Sequence, residues 1–192
     1  MVSDERLDAT TNCFRRKKSA EGKAERMILI VMGPTASGKS TIAAELVRRT
    51  GWSFAEADDY HSAANKQKMH AGIPLTDEDR APWLASLHQV IAGWVRERRN
   101  GIMTCSALKQ AYRDALTQGI PEGICRFVLL EVPVAVLEER IRERSGHFMN
   151  PDLLQSQIDT LEPPKDALRV DATMAPTVVV ENILNQLMPA NA

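Results

Sequence analysis

The chain has 192 residues, which suits one compact domain with a sizeable core. It is 44% hydrophobic and 26% charged with a formal net charge of −1, which excludes a disordered polyelectrolyte and argues against a general nucleic-acid binder, whose first requirement is a basic face. Its three cysteines, Cys13, Cys105 and Cys125, show no C-x-x-C or Cys/His spacing, so neither a disulfide framework nor a zinc site is suggested and a reducing, cytoplasmic setting fits.

Residues 1–26 are polar, contain CFRRKKSAEGKAER and lack the apolar core of a secretory signal. Asp4, Glu5 and Asp8 count against an organelle-targeting segment, so this stretch reads as a disordered tail ahead of a single domain over 27–192. MILIVM, from Met27 to Met32, is a continuous apolar run suited to a central parallel strand. The helix KSTIAAELVRRT follows, with Ile42, Leu46 and Val47 on one face and Gly51 as its stop. SFAEA around Phe54 predicts a second strand leading into DDYH. The clearest helix runs from Pro82 to Arg99, where Trp83, Leu84, Leu87, Val90, Ile91, Trp94 and Val95 form an apolar stripe at helical period. Asn100-Gly101 predicts a turn into a third strand, IMTCS. A helix from about Leu108 precedes the strand RFVLLEV, and VAVLEERIRERS predicts another helix. Asn150 and Pro151 suit the cap and first position of a helix DLLQSQIDTL. ALRVDA offers a last strand and PTVVVENILNQL a closing helix.

Strands alternating with helices imply an α/β fold in three layers, with a parallel sheet between two layers of helices. The apolar runs MILIVMG and RFVLLEV are too short to span a bilayer and suit buried strands, so no membrane partner is expected. Ligands of such sheets bind beyond the carboxyl ends of the strands. The segments that follow the predicted strands should therefore meet at one rim.

The first of those segments is a motif. Gly33, Gly38, Lys39 and Ser40 fit G-x-x-x-x-G-K-[ST] with a strand before and a helix after, as a phosphate-binding loop requires. Its glycines permit unusual torsions, its amides and the helix N-terminus face an anion, Lys39 adds charge near the β- and γ-phosphates, and Ser40 suits Mg²⁺. EADDYH supplies Glu56, Asp58 and Asp59. A kinase acting on an alcohol needs a carboxylate to orient the hydroxyl and accept its proton, and Asp58 is the first candidate, Asp59 the second, with Glu56 on the metal side. A solvated acidic loop would read the same way. SALKQAYRD places Lys109 and Arg113 four apart, a spacing that suits either an anion-holding pair or a surface pair. RERSGHFMN combines arginines with a glycine-marked turn, as a mobile lid over the transferring phosphate would, or as an exposed basic helix end would.

The loop wording GPTASGK resembles that of tRNA dimethylallyltransferases, but no basic stretch or extra domain follows that would hold a tRNA arm. The blocks GPTASGKST, DDYHSAANKQKMHAGIPLTDEDRAPWL, CSALKQAYRD, GHFMNPDLLQSQIDTLEPP and VDATMAPTVVV, in this order, resemble the bacterial-type gluconokinases, small phosphate-loop kinases related to shikimate and nucleoside-monophosphate kinases. The resemblance covers Met27 to about Leu187. It implies transfer of phosphate from ATP to D-gluconate with Mg²⁺, a five-stranded parallel sheet and, by analogy only, a homodimer. It implies that Gly33, Pro34, Thr35, Ala36, Ser37, Gly38, Lys39, Ser40 and Thr41 bind ATP, and that Val170, Asp171 and Pro176 belong to the loop bordering adenine. Asp58 then holds the reacting hydroxyl. Asp59, Arg80, Lys109, Arg113, His147 and Gln157 are candidate gluconate contacts, and Arg140 and Arg144 candidate lid or phosphate contacts. The chain departs from the family's usual wording at Pro34, Thr35 and Ala36 and at Glu56, and Pro34 lacks an amide hydrogen.

Overall fold

The computed structural model describes residues 26–143 and 151–188. All of the expected tail but Arg26 therefore lies outside the described residues, as do Arg144, His147 and the cap expected at Asn150. Five strands, β1 (Ile28–Met32), β2 (Ser53–Glu56), β3 (Gly101–Thr104), β4 (Cys125–Glu131) and β5 (Leu168–Asp171), form one parallel sheet in the order β2-β3-β1-β4-β5. Between them run α1 (Lys39–Thr50), α2 (Ala63–His70), α3 (Asp77–Arg96), α4 (Gln110–Thr117), α5 (Val134–Glu143) and α6 (Pro151–Thr160), and α7 (Pro176–Leu187) follows β5. This is the expected three-layer α/β architecture.

β1 lies at the centre because it is apolar on both faces. Ile28, Ile30 and Met32 pack against α3 and α4 through Trp83, Leu87, Ile91, Trp94 and Leu116. Leu29 and Val31 face the other way, onto Ile42 and Leu46 of α1 and Val179, Val180 and Ile183 of α7. Sheet order reverses around β1, with β3 on one side and β4 on the other, which opens a crevice at its carboxyl end.

Two elements differ from the sequence reading. α3 begins at Asp77, five residues before Pro82, because Thr76 and Asp79 close a capping box in which each side chain accepts a hydrogen bond from the other's backbone amide. Pro82 is carried inside the helix. The turn after α3 is made by Arg98 (φ 59°), not by Gly101, which already belongs to β3. Gly101 serves another end: a Cβ there would collide with the indole of Trp94. The sequence reading also omits α2, which buries only Asn65 and so carries no apolar stripe.

Candidate functional site

The phosphate loop folds between β1 and α1 with Gly33 (φ 140°), Ala36 (φ 61°) and Gly38 (φ 98°) in the left-handed half of backbone space. A Cβ on Gly33 would stand 3.0 Å from Ser37 Oγ and 3.1 Å from the Leu130 carbonyl, so the turn is closed to side chains there. Lys39 donates its ammonium to the carbonyls of Gly33 (3.0 Å) and Pro34 (2.9 Å). The Pro34 carbonyl also accepts from the Ser37 amide at 3.3 Å. Pro34 thus serves the loop through its carbonyl, a role that its missing amide hydrogen leaves untouched.

Glu56, at the end of β2, joins three elements. One of its oxygens accepts from Ser40 Oγ at 2.8 Å and the other from Thr104 Oγ1 at the end of β3. Thr104 is absent from the residues expected at the site, since only the strand register brings it opposite Glu56. Among the described residues no group of three or more His, Cys, Asp or Glu could hold a metal ion. Ser40 and Glu56 offer hard oxygen donors of the kind Mg²⁺ accepts when nucleotide phosphates and water complete its shell, so the residues fit that ion.

A short 3₁₀ turn (Ala57–Tyr60) carries Asp58 and Asp59, both exposed, past the end of β2. The carbonyl of Asp59 accepts from Lys66 Nζ at 3.0 Å. Trp83 of α3 anchors the turn by donating Nε1–H to the Ala57 carbonyl at 2.8 Å. His61 stacks on Trp83, with centroids 4.3 Å apart, and its buried Nδ1 has no hydrogen-bond partner. Burial holds the imidazole below its ordinary pKa, while the Asp58 carboxylate opposes that shift and the Arg80 and Lys66 charges add to it. The Cys105 thiol beneath the rim is pushed up to about 12 by burial, and the charges of Lys39, Asp58 and Glu56 all reach it. The phosphate loop and the acidic turn converge where Ser40 Oγ meets Glu56, the residue that caps the turn.

Four side chains from α3 and α4 form a second cluster. Lys109, the residue before α4, donates to both Asp77 oxygens at 3.0 and 2.8 Å, and Tyr112 donates its hydroxyl to the same carboxylate. Arg80 lies 3.8 Å from Asp77, and its guanidinium and the Lys109 ammonium approach the Tyr112 ring at 5.7 and 5.4 Å. The Lys109 ammonium holds the Asp77 carboxyl below its usual range, with help from Tyr112. Arg80 and Lys109, two of the candidate substrate contacts, thus lie together around an acid and an aromatic that the sequence reading left out.

Arg113 does not join them. It is 2% exposed, and all five of its N–H donors are used: on the carbonyls of Ala107, Leu108 and Glu162 and twice on Gln110 Oε1. These bonds tie α4 to the loops on either side and draw the guanidinium away from the Lys109 cluster. Gln157 of α6 is likewise drawn elsewhere: its Oε1 accepts from the Thr35 amide of the phosphate loop at 2.7 Å.

Arg140 of α5 bridges the phosphate loop and the segment after β5. Its guanidinium donates to the carbonyls of Ala36 (3.3 Å) and Ala172 (2.9 Å), linking the phosphate loop to the segment after β5. In that segment Asp171 accepts from the amide and hydroxyl of Thr173 at 2.9 and 2.7 Å, while Val170 is buried and Pro176 opens α7. Thr41 is exposed on the first turn of α1. A separate groove of about 970 Å³ runs along α4 and the start of β4, past Thr117, Ile120, Cys125 and Phe127, and includes none of the loop or acidic-turn residues.

Known proteins resemble this chain over most of its length. The family described as "AAA domain" matches residues 28–164. A probable gluconokinase from Dictyostelium discoideum is 36% identical over 182 residues, spanning 89% of this chain and 91% of its own. The gluconokinase of Gluconobacter oxydans is 42% identical over 160 residues, with 81% and 88% covered. The crystal structure of a gluconokinase from Sinorhizobium meliloti 1021 superposes with a TM-score of 0.76 at 39% identity, covering 85% of this chain and 92% of that one.

Proposed function

The chain belongs to the gluconokinase family, and on that premise we propose that it transfers the γ-phosphoryl group of ATP to the 6-hydroxyl of D-gluconate. The observation that carries this reading is a phosphate loop after β1 that is joined through Ser40 and Glu56 to the exposed acid pair after β2, with His61 feeling the charges of both Asp58 and Arg80, the latter gathered with Lys109 around Asp77. A linear polyol carboxylate needs a cation at one end and a carboxylate at the reacting hydroxyl, and the rim supplies both.

In this reading the loop amides and Lys39 hold the β- and γ-phosphates, the ammonium leaving the Gly33 and Pro34 carbonyls when phosphate arrives. Asp58 orients the 6-hydroxyl and takes its proton. The hydroxyl oxygen forms its bond to the γ-phosphorus as the bond to the β,γ-bridging oxygen breaks, and ADP leaves. Arg80 and Lys109 hold the substrate carboxylate, and Arg140 faces the charge that spreads over the transferring group. Mg²⁺, held through Ser40 and Glu56 with the nucleotide, would neutralise part of the phosphate charge. Work with ATP and Mg²⁺ in the cytoplasm belongs to the same proposal, and no described helix is long and apolar enough to cross a membrane.

The test is ADP release with Mg-ATP and a panel of aldonic acids, shikimate and nucleoside monophosphates. Gluconate should give the highest kcat/KM, and Lys39→Ala should abolish the signal. Gluconate-independent release, or full activity in Lys39→Ala, would contradict the reading.

A further inference from the structure

The acceptor cluster holds an acid where an anionic substrate needs cations. Asp77 is salt-bridged to Lys109 at 2.8 Å, receives the Tyr112 hydroxyl and lies 3.8 Å from Arg80. The nearby acid Asp79 is already neutralised by Lys68 at 2.7 Å, so it leaves the count unchanged. Tyr112 is neutral, its phenol pushed above its ordinary pKa by burial and by the Asp77 carboxylate. Glu78 is exposed and turned to Thr76, although its charge reaches Asp77. Among the side chains in direct contact, two cations and one acid leave one net positive charge.

We infer that Asp77 is a specificity-determining residue that matches the cluster to a monoanion and disfavours a dianion at the same position. The inference rests on the proposed acceptor reading and deepens it. Without an acid, Arg80 and Lys109 present two positive charges, and an acceptor ending in a phosphate dianion meets them as well as one ending in a carboxylate. With Asp77 present, the second charge of a dianion has no cation left to meet and faces the Asp77 carboxylate instead. Discrimination built from repulsion is effective because like charges at contact distance are disfavoured whatever the rest of the ligand does. The acid also holds Lys109 in place. Its side chain is 58% exposed and that of Lys109 34% exposed, so the pair is solvent-screened and gives way readily to a substrate carboxylate.

Three ligands of nearly equal length test this by charge alone: a hexitol, D-gluconate and a hexitol monophosphate with a free terminal hydroxyl. Binding to the full chain is measured by calorimetry, alongside gluconate-dependent ADP release, for wild type, Asp77→Asn and Asp77→Glu, each checked for an unchanged Tm. Asn keeps the shape of the side chain and one acceptor oxygen while removing the charge, and Glu keeps the charge. The wild type should prefer gluconate to the hexitol monophosphate. Asp77→Asn should shift that ratio toward the phosphate by about tenfold or more, the order expected for one unit charge at contact distance in a solvent-exposed site. Asp77→Glu should restore the wild-type ratio. A ratio unmoved in Asp77→Asn, an equal shift in Asp77→Glu, or wild-type protein that binds none of the three would overturn the inference. Wild-type protein that binds the series with the expected ratios but releases no ADP with gluconate would contradict the proposed reaction while leaving the charge filter standing.

Discussion

His61 and Arg113 show how a polar residue beside a phosphate-transfer site can serve the fold. His61 is stacked on Trp83 with a buried, unpartnered Nδ1, and burial keeps it neutral below its ordinary pKa. As pH falls below about 6.5 the unfolded chain takes up this proton before the folded one, so protonation favours unfolding and stability declines with acid. His61→Phe keeps the stacked ring and removes the titration. Between about pH 7.5 and about pH 5.5 the wild type should lose more Tm than His61→Phe; parallel slopes would show that His61 does not contribute. Arg113 is a brace whose five donors all meet protein acceptors. Arg113→Met should cost roughly 2–4 kcal/mol in chemical denaturation, because it strands carbonyls that the guanidinium now satisfies. Well below the new Tm its KM for gluconate should remain near wild type. A large, selective rise in that KM would return Arg113 to the sugar pocket.

At the scale of elements, legibility followed apolar periodicity. β1, α1, α3 and α7 each bury a continuous run or stripe, and each was visible in the sequence. α2 was not, because AANKQKMH holds its place by a cap at Ser62 and by the Asn65 side chain donating to the Asp79 carbonyl, neither of which leaves a periodic trace. The start of α3 was missed because its capping box uses Asp79 where Glu or Gln is usual. Gly101 was legible as a glycine but not for its reason, since the contact with Trp94 depends on how α3 lies over β3. Gly101→Ala should destabilise by about 1–3 kcal/mol through overpacking against that indole, read as a fall in Tm. An unchanged Tm would mean that α3 can shift away from the strand at little cost.

For the whole molecule, the strand order β2-β3-β1-β4-β5 gathers segments far apart in sequence onto one rim. The phosphate loop, Glu56 and Asp58 were legible because each ends or follows a strand and carries its chemistry in its own residue type. The Asp77–Lys109–Tyr112 cluster and the Glu56–Thr104 pair were not, because they join residues 32 to 48 positions apart that only the packing of α3 on α4 and of β2 on β3 brings together. The loop wording pointed toward RNA-modifying enzymes, whereas the whole chain belongs with gluconokinases. The most direct test of that assignment is formation of 6-phospho-D-gluconate from Mg-ATP and D-gluconate, followed by its enzymatic oxidation with NADP⁺. The wild-type chain should produce it in one-to-one ratio with ADP, and Lys39→Ala should produce none. ADP release without 6-phosphogluconate would contradict the central claim.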